Sequence, residues 1–304
     1  MRATDIDASC GILCGGAPPA HIERLLQSLA ASRPRLAVYL IGPPGQPVLT
    51  ALAGRYGVRY LDAPLHLGRG HARNLSLRAA LAAGHHYHFL FTPDVGLPLD
   101  AVGKLLAWID AHPDVGLLAP RIRHPDGRLQ PLCSLLPGPL DVLLRACAPL
   151  LYRSSGAQAR FELHAGGYRH VMDTPVLPAC CLLVRTAAVE RAGLCDERLL
   201  RGFDTVDLAR RVAPHARCVF VPQVGVVRDP LRDPDRAGLR AGCHYAISAL
   251  RYFGKWGWWR DEERERVNAR TLRALDIAGK TVRASRCATW SEKAPAPRWR
   301  LDET

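Results

Sequence analysis

The stretch His85–Leu97 reads HHYHFLFTPDVGL, and the fold of this chain can be worked out from it. Tyr87–Phe91 is an apolar, aromatic run with the length of a buried β-strand, and a Thr-Pro pair ends it. A single carboxylate, Asp94, follows directly. Open α/β sheets place metal or ligand contacts in this way, at the carboxyl edge of a strand. Asp94 could equally be a turn residue after the proline, and this stretch alone leaves both interpretations open.

The composition is that of a globular protein, with 304 residues, of which 48% are hydrophobic and 23% charged. This length suits one large α/β domain, with or without an appendage. No apolar run reaches the ~18 residues of a membrane span, and no signal peptide is visible, so we expect a cytoplasmic protein. Ten cysteines without a CxxC pair favour reduced, mostly buried thiols over disulfides or a zinc site. The net charge of +13 favours anionic partners.

Strand-like and helical runs alternate along the first half of the chain. Helical periodicity is clear in His21–Ala31, which follows one strand-like run and precedes another. The pattern β-α-β-α-β predicts a doubly wound, mostly parallel, Rossmann-like sheet, with His85–Leu97 containing its fourth strand. The predicted strands, in addition to Tyr87–Phe91, are Cys10–Cys14, Leu36–Ile41, Val58–Leu61, Val115–Ile122, Leu177–Val184 and Arg217–Val221.

Three patterns that suggest other chemistry are better explained structurally. The glycines Gly68 and Gly70 lack the third glycine of a dinucleotide fingerprint and follow the third strand instead of the first. The cluster His85, His86 and His88 lies at the opposite end of the strand from Asp94, which argues against a shared metal site. No nucleic-acid-binding motif accompanies the positive charge.

The middle and the end of the chain are less regular. Leu132–Pro149 predicts a loop over the sheet followed by a helix, and Arg153–Tyr168 predicts a mobile loop near a site. Ala241–Trp259 predicts one helix with a Tyr/Trp stripe between basic residues. That stripe could pack on the domain, or it could lie at the surface of an anionic membrane, and both could hold.

Six segments resemble one known family in the order expected. They are LHLGRGHARNLSLRAAL, FLFTPDVGL, HPDVGLLAPRIRHPDGRLQ, LLPGPLDVLLR, AGLCDERLLRGFDTVDLARR and HYAISALRYFGKWGWWRDEER. The chain is similar to inverting family 2 glycosyltransferases of the GT-A fold, in the rhamnosyltransferase-like branch of bacterial surface polysaccharide synthesis. The resemblance runs from about Cys10 to Asn268.

The resemblance implies an activity and a set of site residues. A sugar, such as rhamnose or another hexose, would move from a nucleotide-sugar to a glycan or lipid-linked glycan. Asp94 would hold Mg²⁺ or Mn²⁺ against the donor diphosphate, and Gly68 and Asn74 would contact the donor. Asp204 would be the general base that deprotonates the acceptor hydroxyl.

The chain departs from the family at several of these positions. Gly42 stands where the second strand usually ends in an Asp, and Thr205 aligns with the family's base, which shifts Asp204 by one position. Val226-Val227 stands where a metal-assisting His is common, and Ser134 replaces an Arg. Asp204 could therefore have taken over as base, or it could simply cap a helix with an acidic first turn.

The departures leave two functions open. The first is an active transferase, and the second is a catalytically degenerate subunit that binds or scaffolds a partner transferase. We expect a loose N-terminus over residues 1–9, a GT-A-like domain over 10–227, a helical basic and aromatic extension over 228–283 and a disordered tail over 284–304. The expected location is cytoplasmic, at or near the inner face of a membrane.

Overall fold

A computed structural model of the chain describes residues 7–229 and 239–285. Residues 1–6 of the predicted loose N-terminus (1–9) and residues 286–304 of the predicted tail (284–304) lie outside the described residues, whereas a strand already begins at Ala8 and the last described helix continues to Ser285. Within the described residues, nine strands form one sheet. The strands are β1 (Ala8–Leu13), β2 (Ala37–Gly42), β3 (Arg59–Asp62), β4 (Tyr87–Phe91), β5 (Val95–Gly96), β6 (Val115–Arg123), β7 (Met172–Asp173), β8 (Cys181–Arg185) and β9 (Arg217–Arg228).

Eleven α-helices accompany the described part of this sheet. They are α1 (Pro19–Ala31), α2 (Pro47–Tyr56), α3 (Gly68–Ala82), α4 (Ala101–Asp110), α5 (Pro139–Cys147), α6 (Pro149–Ser154), α7 (Ala157–Phe161), α8 (Thr186–Ala192), α9 (Asp204–Val212), α10 (Leu239–Trp256) and α11 (Glu262–Ser285). In α1 the residues Ile22, Leu25, Leu26 and Leu29 are buried, which is the apolar stripe that the sequence predicts.

The order of strands across the sheet is β3-β2-β1-β4-β8-β6-β9-β5, and β7 also pairs with β9. The neighbours from β3 to β4 run parallel, as do β6 and β9, whereas β8 runs antiparallel between β4 and β6. The predicted doubly wound, mostly parallel sheet is therefore confirmed. All five residues of β4 are buried, which places this strand at the centre of the sheet.

The two C-terminal helices pack directly on the sheet domain. In α10, Tyr252 and Phe253 are buried in one cluster with Phe203 and Leu136. In α11, the side chain of Asn268 donates to the backbone oxygen of Leu136 and accepts from its backbone nitrogen, both at 2.9 Å. Helices α10 and α11 thus share a core with the residues before them, and the division of the chain into a domain over 10–227 and an extension over 228–283 stays a prediction.

Two sequence predictions need correction here. The helix predicted to reach Trp259 ends at Trp256, because Gly257 has a φ of +100°, and a Cβ there would lie 2.7 Å from the Arg260 carbonyl oxygen. The segment predicted as an irregular loop, Arg153–Tyr168, instead contains the end of α6 and all of α7. None of the described helices is both long enough and apolar enough to span a bilayer.

Candidate functional site

A cleft of about 260 Å³ opens where the carboxyl end of β4 meets α3 and the beginning of α9. Thr92 lines it directly after β4, Arg69 and Arg73 line it from α3, and Thr205 lines it from α9. The segment after β6 and helix α10 complete its walls, the latter with Tyr245. The cleft therefore lies at the carboxyl edge of the sheet, where open α/β folds bind ligands.

Asp94 lies beside this cleft, with only 1% of its side chain exposed. The short strand β5 runs antiparallel to β9 with Val95 opposite Arg228, and this register brings Arg228 next to Asp94. The Nε of Arg228 donates to Asp94 Oδ2 at 2.8 Å, and the Thr92 hydroxyl donates to Asp94 Oδ1. Asp94 is thus more than a turn residue, since its carboxylate positions an arginine at the cleft.

Asp204 is the first residue of α9 and forms a buried ion pair with Arg73. Each side chain is only 2% exposed. The residue that caps α9 is Phe203, and no side chain makes a capping hydrogen bond there, so Asp204 is not the cap that its position suggested. Burial lowers the pKa of Arg73 to about 10. Asp204 stays a predicted base, one residue before Thr205 at the cleft wall.

Gly68 and Asn74 join α3 to the segment before α9. Gly68 has a φ of +79°, and a Cβ there would lie 2.5 Å from the Cα of Leu200, so only glycine fits this close approach. The Asn74 amide donates to the backbone oxygen of Cys195 at 2.8 Å and accepts from its backbone nitrogen at 2.9 Å. Neither residue lines the cleft, and their contact with a donor stays a prediction.

The charge of the cleft is the feature that the sequence interpretation missed. Four arginines line it, Arg69, Arg73, Arg145 and Arg228, and no Asp or Glu does so among the described residues. Arg69 and Arg73 are one helical turn apart on α3, which places both on one face. That spacing within GRGHARN was available in the sequence, but the position of Arg228 depends on the β5–β9 pairing.

The residues at Asp94 do not fit the divalent cation that the resemblance implies. A cation such as Mg²⁺ would need direct access to a carboxylate oxygen at about 2.0–2.1 Å. Both oxygens of Asp94 already accept hydrogen bonds, one of them from the guanidinium of Arg228, whose charge repels a cation. In the described part of the chain, no group of three or more His, Cys, Asp or Glu residues could hold a metal ion.

The packing around Gly42 leaves no room for an aspartate side chain. A Cβ at this position would lie 2.8 Å from the hydroxyl oxygen of Tyr60 and 2.9 Å from Cδ1 of Leu49. The Tyr60 hydroxyl donates to the backbone oxygen of Pro43 at 2.6 Å. The space into which an aspartate at the end of β2 would project is therefore filled by a tyrosine and a leucine.

Two of the histidines before Asp94, His85 and His88, make contacts that support the fold. His88 is fully buried between the hydroxyls of Ser9 and Ser76, at 2.8 and 3.1 Å. Burial lowers its pKa to about 3, so the ring is neutral at ordinary pH. His85 pairs with Asp7 at 2.5 Å. These contacts agree with the interpretation that the cluster supports the fold.

Comparison with known proteins places the chain among glycosyltransferases. It is 30% identical over 266 residues to the N-acetylglucosaminyl-diphospho-decaprenol L-rhamnosyltransferase of Mycobacterium tuberculosis, covering 80% of this chain and 83% of the relative. No protein-family model matches it.

Solved structures with low sequence identity share the fold. One is S. aureus TarS 1–349 in complex with UDP-GlcNAc, with a TM-score of 0.56 and 14% identity over 88% of this chain and 71% of that chain. Another is the mannosyltransferase PcManGT from Pyrobaculum calidifontis in complex with GDP-Man and Mn²⁺, with a TM-score of 0.52 and 17% identity over 94% and 81%. Sheet order, cleft position and sequence kinship agree, and the chain therefore belongs to the rhamnosyltransferase-like glycosyltransferases of the GT-A fold.

Proposed function

We propose that this protein transfers a deoxyhexose such as rhamnose from a nucleotide-sugar to a glycan or lipid-linked glycan acceptor, with inversion at the anomeric carbon. The observation that carries the proposal is the arginine-lined cleft at the carboxyl end of β4, bordered by the first turn of α9. The relative from Mycobacterium tuberculosis, a rhamnosyltransferase named for a lipid-diphosphate-linked acceptor, supports the sugar and the acceptor class.

The proposed reaction needs one proton acceptor and one site for the leaving diphosphate. The acceptor oxygen forms a bond to the anomeric carbon while the bond from that carbon to the diphosphate oxygen breaks. The electron pair leaves with the nucleoside diphosphate, and the acceptor proton passes to the Asp204 carboxylate. Arg73 pairs with Asp204 and lines the cleft in front of it, so this arginine would have to move aside for the carboxylate to reach the acceptor hydroxyl.

The test is a screen for release of nucleoside diphosphate from UDP-, GDP- and dTDP-linked sugars, with a polyprenyl-diphosphate-linked acceptor, with and without Mn²⁺. We expect Asp204→Asn to lower kcat by roughly 100-fold or more, because general-base catalysis contributes about that much. The matched control is Asp207→Asn, which changes a fully buried carboxylate of the same helix that pairs with Arg211 at 2.8 Å. Unchanged kcat in Asp204→Asn would contradict the assigned base.

The second candidate function is a degenerate subunit that binds or scaffolds a partner transferase. Three features favour this function. The predicted base Asp204 is buried in an ion pair with Arg73, Thr205 stands at the cleft wall in place of a carboxylate, and the packing at Gly42 leaves no room for an aspartate. It predicts that the chain releases no nucleoside diphosphate on its own but raises the rate of an active transferase from the same assembly. Turnover by the isolated chain that Asp204→Asn abolishes would exclude this function.

We also propose that the protein works at the cytoplasmic face of an anionic membrane. Helices α5 and α6 expose Leu140, Leu143, Leu150 and Leu151, each more than half accessible. These helices also carry Arg145 and Arg153, so apolar and basic side chains share one region, a combination that suits an anionic bilayer surface. The aromatic stripe of α10 is less suited, because Tyr252 is buried and the Trp256 indole donates to Asp207 at 2.8 Å.

A further inference from the structure

The walls of the cleft and the layer behind them carry opposite charges. Arg228 lines the cavity with 14% of its side chain exposed, whereas its partner Asp94 is 1% exposed and does not line it. Arg73 also lines the cavity and Asp204 does not, although both of these side chains are only 2% exposed. A ligand that enters the cleft therefore meets guanidinium groups before it meets a carboxylate. This order is the reverse of a metal-dependent site, in which carboxylates face the ligand and bind it through a cation.

Arg228 has the geometry to contact an anion. Only its Nε is used by Asp94, at 2.8 Å, and no described residue accepts a hydrogen bond from its two terminal nitrogens. Its side chain is 14% exposed, at the cleft. A guanidinium held at one nitrogen by a buried carboxylate is fixed in orientation, and its remaining N–H groups match the oxygens of a phosphate.

A second arginine on another element strengthens the positive field. Arg145 of α5 lies with its guanidinium carbon 5.3 Å from the centre of the Phe161 ring, and both residues line the cleft. None of the described carboxylates forms a salt bridge with Arg145. Positive charge thus reaches the cavity from β9 and α5 as well as from α3.

We propose that these arginines, Arg228 foremost, bind the diphosphate of the nucleotide-sugar directly, so that donor binding needs no divalent cation. The inference rests on the proposed transferase function and concerns how its donor is held. Guanidinium groups would also neutralise the charge that develops on the diphosphate as the glycosidic bond breaks, which is the role otherwise supplied by Mg²⁺ or Mn²⁺.

The experiment measures the Kd of the nucleoside diphosphate and its sugar by isothermal titration, in EDTA and in Mn²⁺. We expect the wild-type Kd to differ by less than about threefold between the two buffers. Arg228→Met should raise Kd roughly tenfold or more in both, since charge-assisted hydrogen bonds are worth about that ratio. The control Arg55→Met, a surface arginine paired with Glu23, should leave Kd unchanged.

Two further variants separate the possible outcomes. Because Arg228→Met leaves Asp94 buried without this partner, the double variant Arg228→Met/Asp94→Asn removes both charges and protects the fold. Asp94→Asn alone should weaken binding equally in EDTA and Mn²⁺. Binding that EDTA abolishes, that Mn²⁺ restores and that Asp94→Asn removes would overturn this inference and leave the transferase function intact. Absence of nucleotide binding by the wild type in both buffers would contradict the function as well.

Discussion

Glu197 makes the stability of the folded chain depend on pH. Its carboxylate accepts hydrogen bonds from Asn74 and Arg78 at 2.8 and 2.7 Å, and it lies 2.8 Å from His71 Nδ1. Burial raises the pKa of Glu197, but the bonds from Asn74, His71 and Arg78 outweigh burial and lower it to about 2. Because α3 carries all three partners, this carboxylate fixes the helix that supplies Arg69 and Arg73.

The sign of the effect follows from the lowered pKa. Below the ordinary pKa of 4.5 the unfolded chain takes up a proton at Glu197 that the folded chain does not. The stabilisation is therefore complete above about pH 4.5 and is lost as the pH falls toward 2. We expect the difference in unfolding free energy between wild type and Glu197→Gln to shrink over this range, as measured by urea denaturation. A difference that stays constant from pH 6 to pH 3 would contradict the assignment.

At the scale of elements, a buried ion pair is one of the contacts that hold α9 to the C-terminal helices. Arg210 of α9 is 2% exposed and Asp261, just before α11, is 3% exposed, with Nη1 to Oδ2 at 2.8 Å. The Arg210 guanidinium also lies 4.1 Å from the centre of the Trp256 ring. We expect Asp261→Ala to lower the free energy of unfolding by roughly 3–5 kcal/mol, because it leaves a buried charge with one partner fewer. In the matched control Glu263→Ala, which removes a 41% exposed carboxylate from the same arginine, the loss should stay below about 1 kcal/mol.

The exposed leucines of α5 and α6 make a second prediction at this scale. Replacing Leu140, Leu143, Leu150 and Leu151 by serine should lower the fraction bound to anionic phospholipid vesicles by roughly tenfold or more, because each buried leucine contributes about 1.5–3 kcal/mol. The control replaces Val48 and Leu99, two exposed apolar residues outside α5 and α6. Sedimentation with vesicles measures both, and equal binding of the two variants would contradict a membrane role for α5 and α6.

At the scale of the whole molecule, the C-terminal helices and the sheet domain share their cores. Phe203 and Leu136 are buried against α10, and Leu275 of α11 is buried in the cluster that contains Tyr168 and Phe220. We expect a chain shortened to residues 1–229 to lose cooperative thermal unfolding, whereas the full chain shows coincident transitions by circular dichroism and tryptophan fluorescence. A shortened chain that melts as sharply as the full one would show that 10–227 is an independent domain.

Much of the architecture was predictable from the sequence because buried strands and amphipathic helices leave apolar runs and stripes. Tyr87–Phe91 and the stripe of α1 are examples, and both were predicted with bounds close to those observed. The direction of β8 and the two-residue strand β5 leave no such pattern, since strand pairing depends on distant partners.

The residues of the site were also predictable only in part. Asp94 and Asp204 could be named from local motifs, but Arg228 and Arg73 reach them only through tertiary contacts over 134 and 131 positions of the chain.

Tyr245 has a consequence for the order of events during synthesis. It comes from α10, lines the cleft and lies so close to Gly202 that a Cβ there would be 2.9 Å from its ring. A ribosome that has released the whole sheet has not yet released this wall. Since domains fold as units from the N-terminus while the chain emerges, the nascent protein has an incomplete binding cleft until α10 docks. A nascent chain that has not yet reached Tyr245 therefore lacks part of the cleft wall, even when every strand of the sheet has been made.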